Sequence, residues 1–143
     1  MYKKILVALE NGQADETLMP HIADLAGRLG SELLLLHVAD GWAARHFDQL
    51  KLTESEEMKA DRAYLEQAAA RLRSVGLKVV TVLALGNPPN EILRTAEAEK
   101  CDLIAVTSHG HKLIGDLIFC STIDKVRHNT TIPMLVLRAG GSA

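Results

Sequence analysis

The segment from residue 102 to residue 124 holds the side chains best placed to bind an anion. An apolar run at 102–107 is typical of a buried strand, and it leads directly to the glycine turn at Gly110. Further along, Ser121 and Asp124 have the spacing of a helix start. A glycine turn followed by a helix N-terminus presents backbone N–H groups and the positive end of the helix dipole. The segment therefore predicts an anion pocket.

Ser121 is open to two interpretations. With Asp124 three residues later it resembles a capping box, a purely structural role in which its hydroxyl accepts a backbone N–H. The same hydroxyl at a helix N-terminus is also suited to contact phosphate. Capping alone is slightly favoured over capping with a phosphate contact in addition.

The other polar residues of this segment have structural alternatives as well. His109 and His111 flank the glycine without a nearby cysteine or carboxylate cluster, so loop hydrogen bonding or pocket lining is favoured over a metal site. Lys112 is either a phosphate ligand or a solvated loop lysine. Cys120 at a helix start is a candidate low-pKa redox thiol, although it has no CxxC partner.

Composition narrows the class of protein. The chain has 143 residues, 48% of them hydrophobic, which fits one packed domain. Aromatic residues are only 3% and the net charge is -2, so we expect no nucleic-acid partner. The absence of a membrane-length apolar run or signal peptide, together with two cysteines, predicts a cytoplasmic protein that does not associate with membranes.

Apolar runs and helical periodicity alternate along the whole chain. Continuous apolar runs are typical of strands that are buried on both faces. Strands are predicted at 5–9, 32–38, 77–83, 103–106 and 132–137, and helices at 18–29, 58–76, 90–100 and 121–129. This pattern predicts a single doubly wound α/β domain at 1–138, with a five-stranded parallel sheet, four helices and a flexible tail at 139–143.

A doubly wound sheet binds ligands where its winding reverses, beyond the carboxyl ends of the two strands at that point. If strands one and four flank the reversal, the loop at 9–12 faces the loop at 108–110, and the anion pocket coincides with the crevice expected from topology. His37 ends the second strand and is interpreted as a hydrogen-bonded core histidine rather than a ligand.

Several short motifs, in this order and spacing, resemble the universal stress protein (UspA) family over almost the whole chain. They lie at 4–8, 36–38, 86–92, 102–104, 108–110, Ser121 and 132–136. The resemblance implies a Rossmann-like, adenine nucleotide alpha hydrolase-like fold of strand order 3-2-1-4-5. It also implies a homodimer formed through the edge of strand five. One branch of the family binds ATP and another has lost it.

The ATP-binding branch has a glycine, two residues, a second glycine, nine residues, and then a glycine followed by Ser or Thr. Here Gly110, Ser121 and the nine-residue spacing match, but Thr107 and Cys120 replace the first and third glycines. Side chains at these positions crowd the phosphates or force an unfavourable backbone, which costs roughly 1–3 kcal/mol. Glu10 replaces the usual aspartate at the base and ribose end, a milder change.

The resemblance assigns a set of nucleotide-contacting positions, including Val38, whose backbone matches the position that meets adenine. The full set is Ala8, Leu9, Glu10, Val38, Thr107, His109, Gly110, Cys120, Ser121, Thr122 and Ile123. We expect ATP or another adenine nucleotide, with Mg²⁺ if it binds, or no cofactor at all. No residue is assigned as catalytic or as a metal ligand.

Two functions remain open. The first is a non-enzymatic, dimeric stress-response protein whose nucleotide pocket is weakened by Thr107 and Cys120, with an unidentified regulatory protein as a possible partner. The alternative is an ATP-binding regulator with slow hydrolysis or self-phosphorylation. A ligase on the related hydrolase fold is disfavoured, because Glu10-Asn11-Gly12 stands in place of the Ser-Gly-Gly loop of those enzymes.

Overall fold

The computed structural model describes residues 1–39, 56–108 and 122–139. Within these ranges five strands alternate with four helices, as the apolar runs predict. In chain order they are β1 (Lys4–Ala8), α1 (Asp15–Leu29), β2 (Glu32–Ala39), α2 (Glu56–Ser74), β3 (Val79–Leu85), α3 (Pro88–Ala98), β4 (Leu103–Ser108), α4 (122–128) and β5 (Met134–Arg138).

The five strands form one parallel sheet of order β3-β2-β1-β4-β5, which confirms the predicted topology. β1 is central, with Ile5 opposite Leu33 of β2 on one side and opposite Leu103 of β4 on the other. The chain winds outward from β1 in one direction and from β4 in the other. The boundary between β1 and β4 is therefore the point where a ligand crevice is expected.

Helices cover both faces of the sheet, so each strand alternates its side chains between two apolar layers. On one face Ile5 and Val7 belong to a cluster with Leu18 of α1 and Leu65 of α2. On the other face the cluster includes Leu6 and Ile104 with Ile92 of α3 and Val126 of α4. Full burial of one such aliphatic side chain contributes about 1.5–3 kcal/mol, which accounts for the continuous apolar runs in the sequence.

Several predicted boundaries were displaced, among them both ends of the fifth strand, which runs from Met134 to Arg138, and local hydrogen bonds explain two of the displacements. Strand three begins at Val79 rather than Leu77, because the Leu77 N–H donates to the Leu72 carbonyl and closes α2 around Gly76 at φ 91°. Helix three begins at Pro88 rather than Asn90, because the Asn87 side chain accepts the Asn90 N–H and caps an earlier start. The first strand runs from Lys4 to Ala8, one residue earlier than the predicted range 5–9.

Asp102 ties the start of β4 to the start of β1. Its carboxylate accepts the Lys3 and Lys4 backbone N–H groups at 2.8 and 3.0 Å. Burial opposes ionisation of Asp102, but these N–H donors outweigh it, and the pKa of the carboxyl is lowered. The two strands are thereby aligned at their amino ends, which fixes where their carboxyl ends open.

Candidate functional site

A cavity of about 90 Å³ lies at the carboxyl ends of β1, β2 and β4, where α3 and α4 begin. One water needs only about 10–15 Å³ on the same measure, so the space admits a larger group. It is lined by Ala8, Leu9, Glu10, Leu36, His37, Val38, Pro88, Ile92, Val106, Thr107, Thr122 and Ile123. Most of these side chains are apolar, which suits a flat, hydrophobic part of a ligand.

The structure brings together all of the sequence-assigned positions that it describes. Ala8, Leu9, Glu10, Val38, Thr107, Thr122 and Ile123 line the one cavity, although they come from four separate stretches of chain. The remaining four assigned positions, His109, Gly110, Cys120 and Ser121, lie outside the described residues, as do His111 and Lys112. The described part of the cavity therefore contains Glu10 and Val38, the positions that the resemblance assigns to the base and ribose end.

Glu10 and Thr107 meet at the rim of this cavity. The Thr107 hydroxyl Oγ1 lies 2.8 Å from Oε2 of Glu10. An ionised carboxylate only accepts hydrogen bonds, so Thr107 is the donor. Thr107 is buried at 3% exposure, and the bond joins the ends of β1 and β4 across the switch point.

Asp15, in the first turn of α1, holds the loop that carries Glu10. It is 1% exposed, and its carboxylate accepts the Glu10 and Asn11 N–H groups at 3.0 and 2.9 Å and the Tyr64 hydroxyl at 2.9 Å. Burial, followed by the hydrogen bond to Asp15, raises the pKa of Tyr64 to about 12. Asn11 adopts φ 58° in this loop, a left-handed conformation that asparagine tolerates.

His37 is both hydrogen-bonded, as expected, and part of the cavity wall. Its Nδ1 lies 2.9 Å from the Leu9 carbonyl oxygen, which can only accept, so Nδ1 carries the proton. Its Nε2 lies 3.6 Å from Oδ2 of Asp61 on α2. Asp61 also accepts from the Asn11 side-chain amide at 3.0 Å. These contacts connect α2 to the loop beneath the cavity.

Sequence reasoning missed several wall and support residues. Leu36, Pro88, Ile92 and Val106 line the cavity, and strand alternation with Val38 and Ala8 would have found Leu36 and Val106. The sequence around Asp15 and Asp61 does not indicate that they support the cavity. An acid in the first turn of a helix or on its surface is usually exposed to solvent.

The described lining contains few ionisable groups. It has the carboxylate of Glu10 and the imidazole of His37, and neither lysine nor arginine. Across residues 1–39, 56–108 and 122–139 there is no group of three metal-ligating side chains, and no helix with the length and hydropathy to cross a bilayer. Cys101 is buried, which raises the pKa of its thiol to about 11 and keeps it protonated.

Comparison with known proteins identifies the family. The model of the universal stress protein family matches residues 1–138. The chain belongs to the universal stress protein family. This confirms the resemblance inferred from the motifs.

Among curated relatives, this universal stress protein is 27% identical to the universal stress protein MJ0577 of Methanocaldococcus jannaschii, over 99% of this chain and 98% of that one. It is also 27% identical to the universal stress protein YxiE of Bacillus subtilis, over 96% of this chain and all of the relative. Both alignments therefore run almost end to end over this chain and over the relative.

Solved structures share the fold. The structure of MJ0577 superposes with a TM-score of 0.81 at 28% identity, covering 99% of both chains. A universal stress protein in complex with cAMP matches with a TM-score of 0.70 at 16% identity, covering 97% of this chain and 98% of that one. A universal stress protein from Archaeoglobus fulgidus in complex with dAMP matches at 0.69 and 20% identity, covering 94% and 97%.

Proposed function

We propose that this universal stress protein is a non-enzymatic stress-response protein that binds an adenine nucleotide weakly in the crevice beyond β1 and β4. The observation that carries the proposal is the convergence of the assigned positions on one apolar cavity at the switch point. Complexes of two structural neighbours with cAMP and dAMP support an adenine nucleotide as the ligand class.

The base and ribose end of the proposed ligand has a well-formed site. The apolar wall from β2, β4 and α3 suits adenine, and the backbone of Val38 lies at the position that the family resemblance assigns to the base. Glu10 supplies acceptor oxygens for the sugar hydroxyls. These groups are held by the Asp15 network and by the hydrogen bond from Thr107.

The phosphate end is the weakened part of the site in this proposal. The described lining offers no lysine or arginine to balance a triphosphate. Thr107 and Cys120 replace two glycines of the ATP-binding branch, and Cys120 lies outside the described residues. Two side chains where glycines allow close approach reduce affinity by about tenfold to a hundredfold, which corresponds to roughly 1–3 kcal/mol.

Titration with Mg-ATP tests this account. We expect the wild-type protein to bind with a dissociation constant in the high-micromolar to millimolar range. The Thr107→Gly/Cys120→Gly variant should bind about tenfold to a hundredfold more tightly, because both glycines are restored. Thr95→Val, at a buried threonine outside the cavity wall, is the matched control and should leave affinity unchanged. Low-micromolar binding by the wild type, or nucleotide retained through purification, would contradict the weakened site.

We also propose that the protein is a homodimer formed through the outer edge of β5, which pairs with no other strand among the described residues. β5 pairs with β4 on one side, and Val136 is 45% exposed on it. A strand with one unpaired edge and apolar side chains is suited to pair with a second copy. The family resemblance implies the same interface.

A further inference from the structure

β3 is the outermost strand at one side of the sheet. It pairs with β2 and with no other strand in the described ranges. The Leu33 N–H donates to the Lys78 carbonyl oxygen, and Leu33 lies opposite Val79 in the register. In a parallel pair this pattern turns the backbone groups of Val79, and of every second residue after it, away from β2. The outer edge of β3 therefore presents the N–H and C=O groups to which an added strand binds.

The sequence of β3 makes this edge prone to pair with a copy of itself. The strand Val79–Leu85 is VVTVLAL, with four β-branched residues and without a charge, a proline or a glycine. Exposed segments of this composition self-associate through their edges. Val80 is 50% exposed and Leu85 is 38% exposed, so apolar side chains lie open beside the backbone groups. An edge of this kind needs a cover in a protein that does not aggregate.

Two charged side chains of α2 cover the beginning of this edge. Nε and a terminal guanidinium nitrogen of Arg73 donate to the Val79 carbonyl oxygen at 3.1 and 2.7 Å. Glu66, about two turns earlier on α2, accepts the Thr81 hydroxyl at 2.7 Å. Its carboxylate lies 3.7 Å from the Arg73 guanidinium. We call Arg73 and Glu66 together the edge clasp.

The edge clasp obstructs an added strand in two ways. The strand must displace the Arg73 guanidinium to reach the Val79 carbonyl oxygen, and the hydrogen bonds lost there are charge-assisted. It must also bring its own atoms against the charges of Arg73 and Glu66, and removing a charge from water is unfavourable. The two side chains are 46% and 54% exposed, so water solvates them while the edge stays closed.

We propose that the outer edge of β3 is a latent interface for a second copy of this chain, and that Arg73 and Glu66 keep it closed. The inference goes beyond nucleotide binding and does not depend on it. In the proposed dimer through β5, the two β3 edges lie at the outer ends of the joined sheets. The clasp then stops further copies from adding at those ends, which would otherwise extend the assembly without limit.

Light scattering coupled to size-exclusion chromatography of the full-length protein tests the clasp. Arg73→Ala uncovers the Val79 carbonyl, so it should raise the weight-average mass at least about twofold over the wild type, because each new pairing joins two wild-type particles. Glu66→Ala is a second route to a higher mass, since it removes the other charge and releases the Thr81 hydroxyl. Both substitutions are at half-exposed positions, where the cost in stability is small.

Matched controls separate the clasp from a general effect of charge. Arg71 and Glu57 are exposed on the same helix and make no hydrogen bond to β3 within the described part of the chain. Arg71→Ala and Glu57→Ala change the net charge as the two clasp variants do, and should keep the wild-type mass. The double variant Arg73→Ala/Val80→Lys locates the interface. A lysine on the edge strand opposes pairing, so it should return the mass to that of the wild type.

Three results would overturn the proposal. They are wild-type masses for both clasp variants, equal association of the control variants, and association that persists in Arg73→Ala/Val80→Lys. Circular dichroism melting and dilution of each sample separate reversible pairing of folded chains from aggregation of unfolded ones, and association seen only with loss of the folded signal also overturns it. Arg73 lies outside the cavity lining, so Arg73→Ala should bind AMP as the wild type does, and failure of the clasp leaves the proposed function standing.

Discussion

At the scale of single residues, two buried or half-buried carboxylates give the crevice its shape. Asp15 accepts hydrogen bonds from two backbone N–H groups of the loop after β1 and from the Tyr64 hydroxyl on α2. Glu10 accepts a hydrogen bond from Thr107 at the end of β4 and so connects that loop to β4. The local sequence suggests that both acids are exposed to solvent, but Asp15 is 1% exposed and Glu10 is half-buried. Both act by fixing the backbone and side chains around the cavity.

Asp15→Ala tests the first of these roles. The substitution leaves the N–H groups of Glu10 and Asn11 and the Tyr64 hydroxyl without their acceptor, so we expect a loss of on the order of 3 kcal/mol in the free energy of unfolding. Urea denaturation measures it. Asp24→Ala on the same helix is the matched control, because Asp24 is 68% exposed in its pair with Arg28 and should contribute less than about 0.5 kcal/mol.

Equal stability losses in the two Asp→Ala variants would show that the loop does not depend on Asp15. A loss confined to Asp15→Ala, together with weakened AMP binding, would support its role in holding Glu10.

The chemistry of these residues was only partly predictable from the sequence. Glu10 and Thr107 were identified one at a time, each by comparison with a family pattern, and Thr107 was assigned as a nucleotide-contacting position whose side chain adds bulk. Their hydrogen bond depends on the pairing of β1 with β4, which brings together residues 97 positions apart. A local pattern contains no information about such a contact until the strand order is known.

At the scale of strands and helices, prediction from the sequence was more successful. Apolar runs identify all five strands because a parallel sheet buries both faces of its strands. The boundaries at Val79 and Pro88 were wrong, because a helix closure at Leu77 and a cap at Asn87 decide them. At the ends of helices and strands, such main-chain and side-chain hydrogen bonds, rather than the hydrophobic periodicity, determine the residue at which the element begins.

The two edge strands allow a sharp test of the proposed dimer. Val136 on β5 and Val80 on β3 are 45% and 50% exposed, at opposite edges of the same sheet. Val136→Lys places a charge in the proposed interface, so it should convert the dimer to a monomer at micromolar concentration. Val80→Lys should leave the dimer intact. Light scattering coupled to size-exclusion chromatography measures both masses.

A monomeric wild-type protein would reject the interface outright. Dissociation caused by Val80→Lys, with Val136→Lys still dimeric, would move the interface to the opposite edge of the sheet.

At the scale of the whole molecule, strand order determines where a ligand can bind. The order β3-β2-β1-β4-β5 places the carboxyl ends of β1 and β4 side by side. The family match over residues 1–138 and the end-to-end likeness to MJ0577 agree with this architecture. The position of the crevice could be predicted from topology, whereas its wall could not, because Ile92 and Pro88 approach it through helix packing.

The location of the ligand is the central claim, and chemical-shift mapping by NMR tests it most directly. Addition of AMP to the isotope-labelled wild-type protein should perturb amide signals of Ala8, Val38, Thr107 and Thr122, which surround the cavity. Signals at the opposite end of the sheet, such as Lys3 and Lys78, should not move. Perturbations clustered at that end or along β5, or none up to about 10 mM nucleotide, would contradict the account.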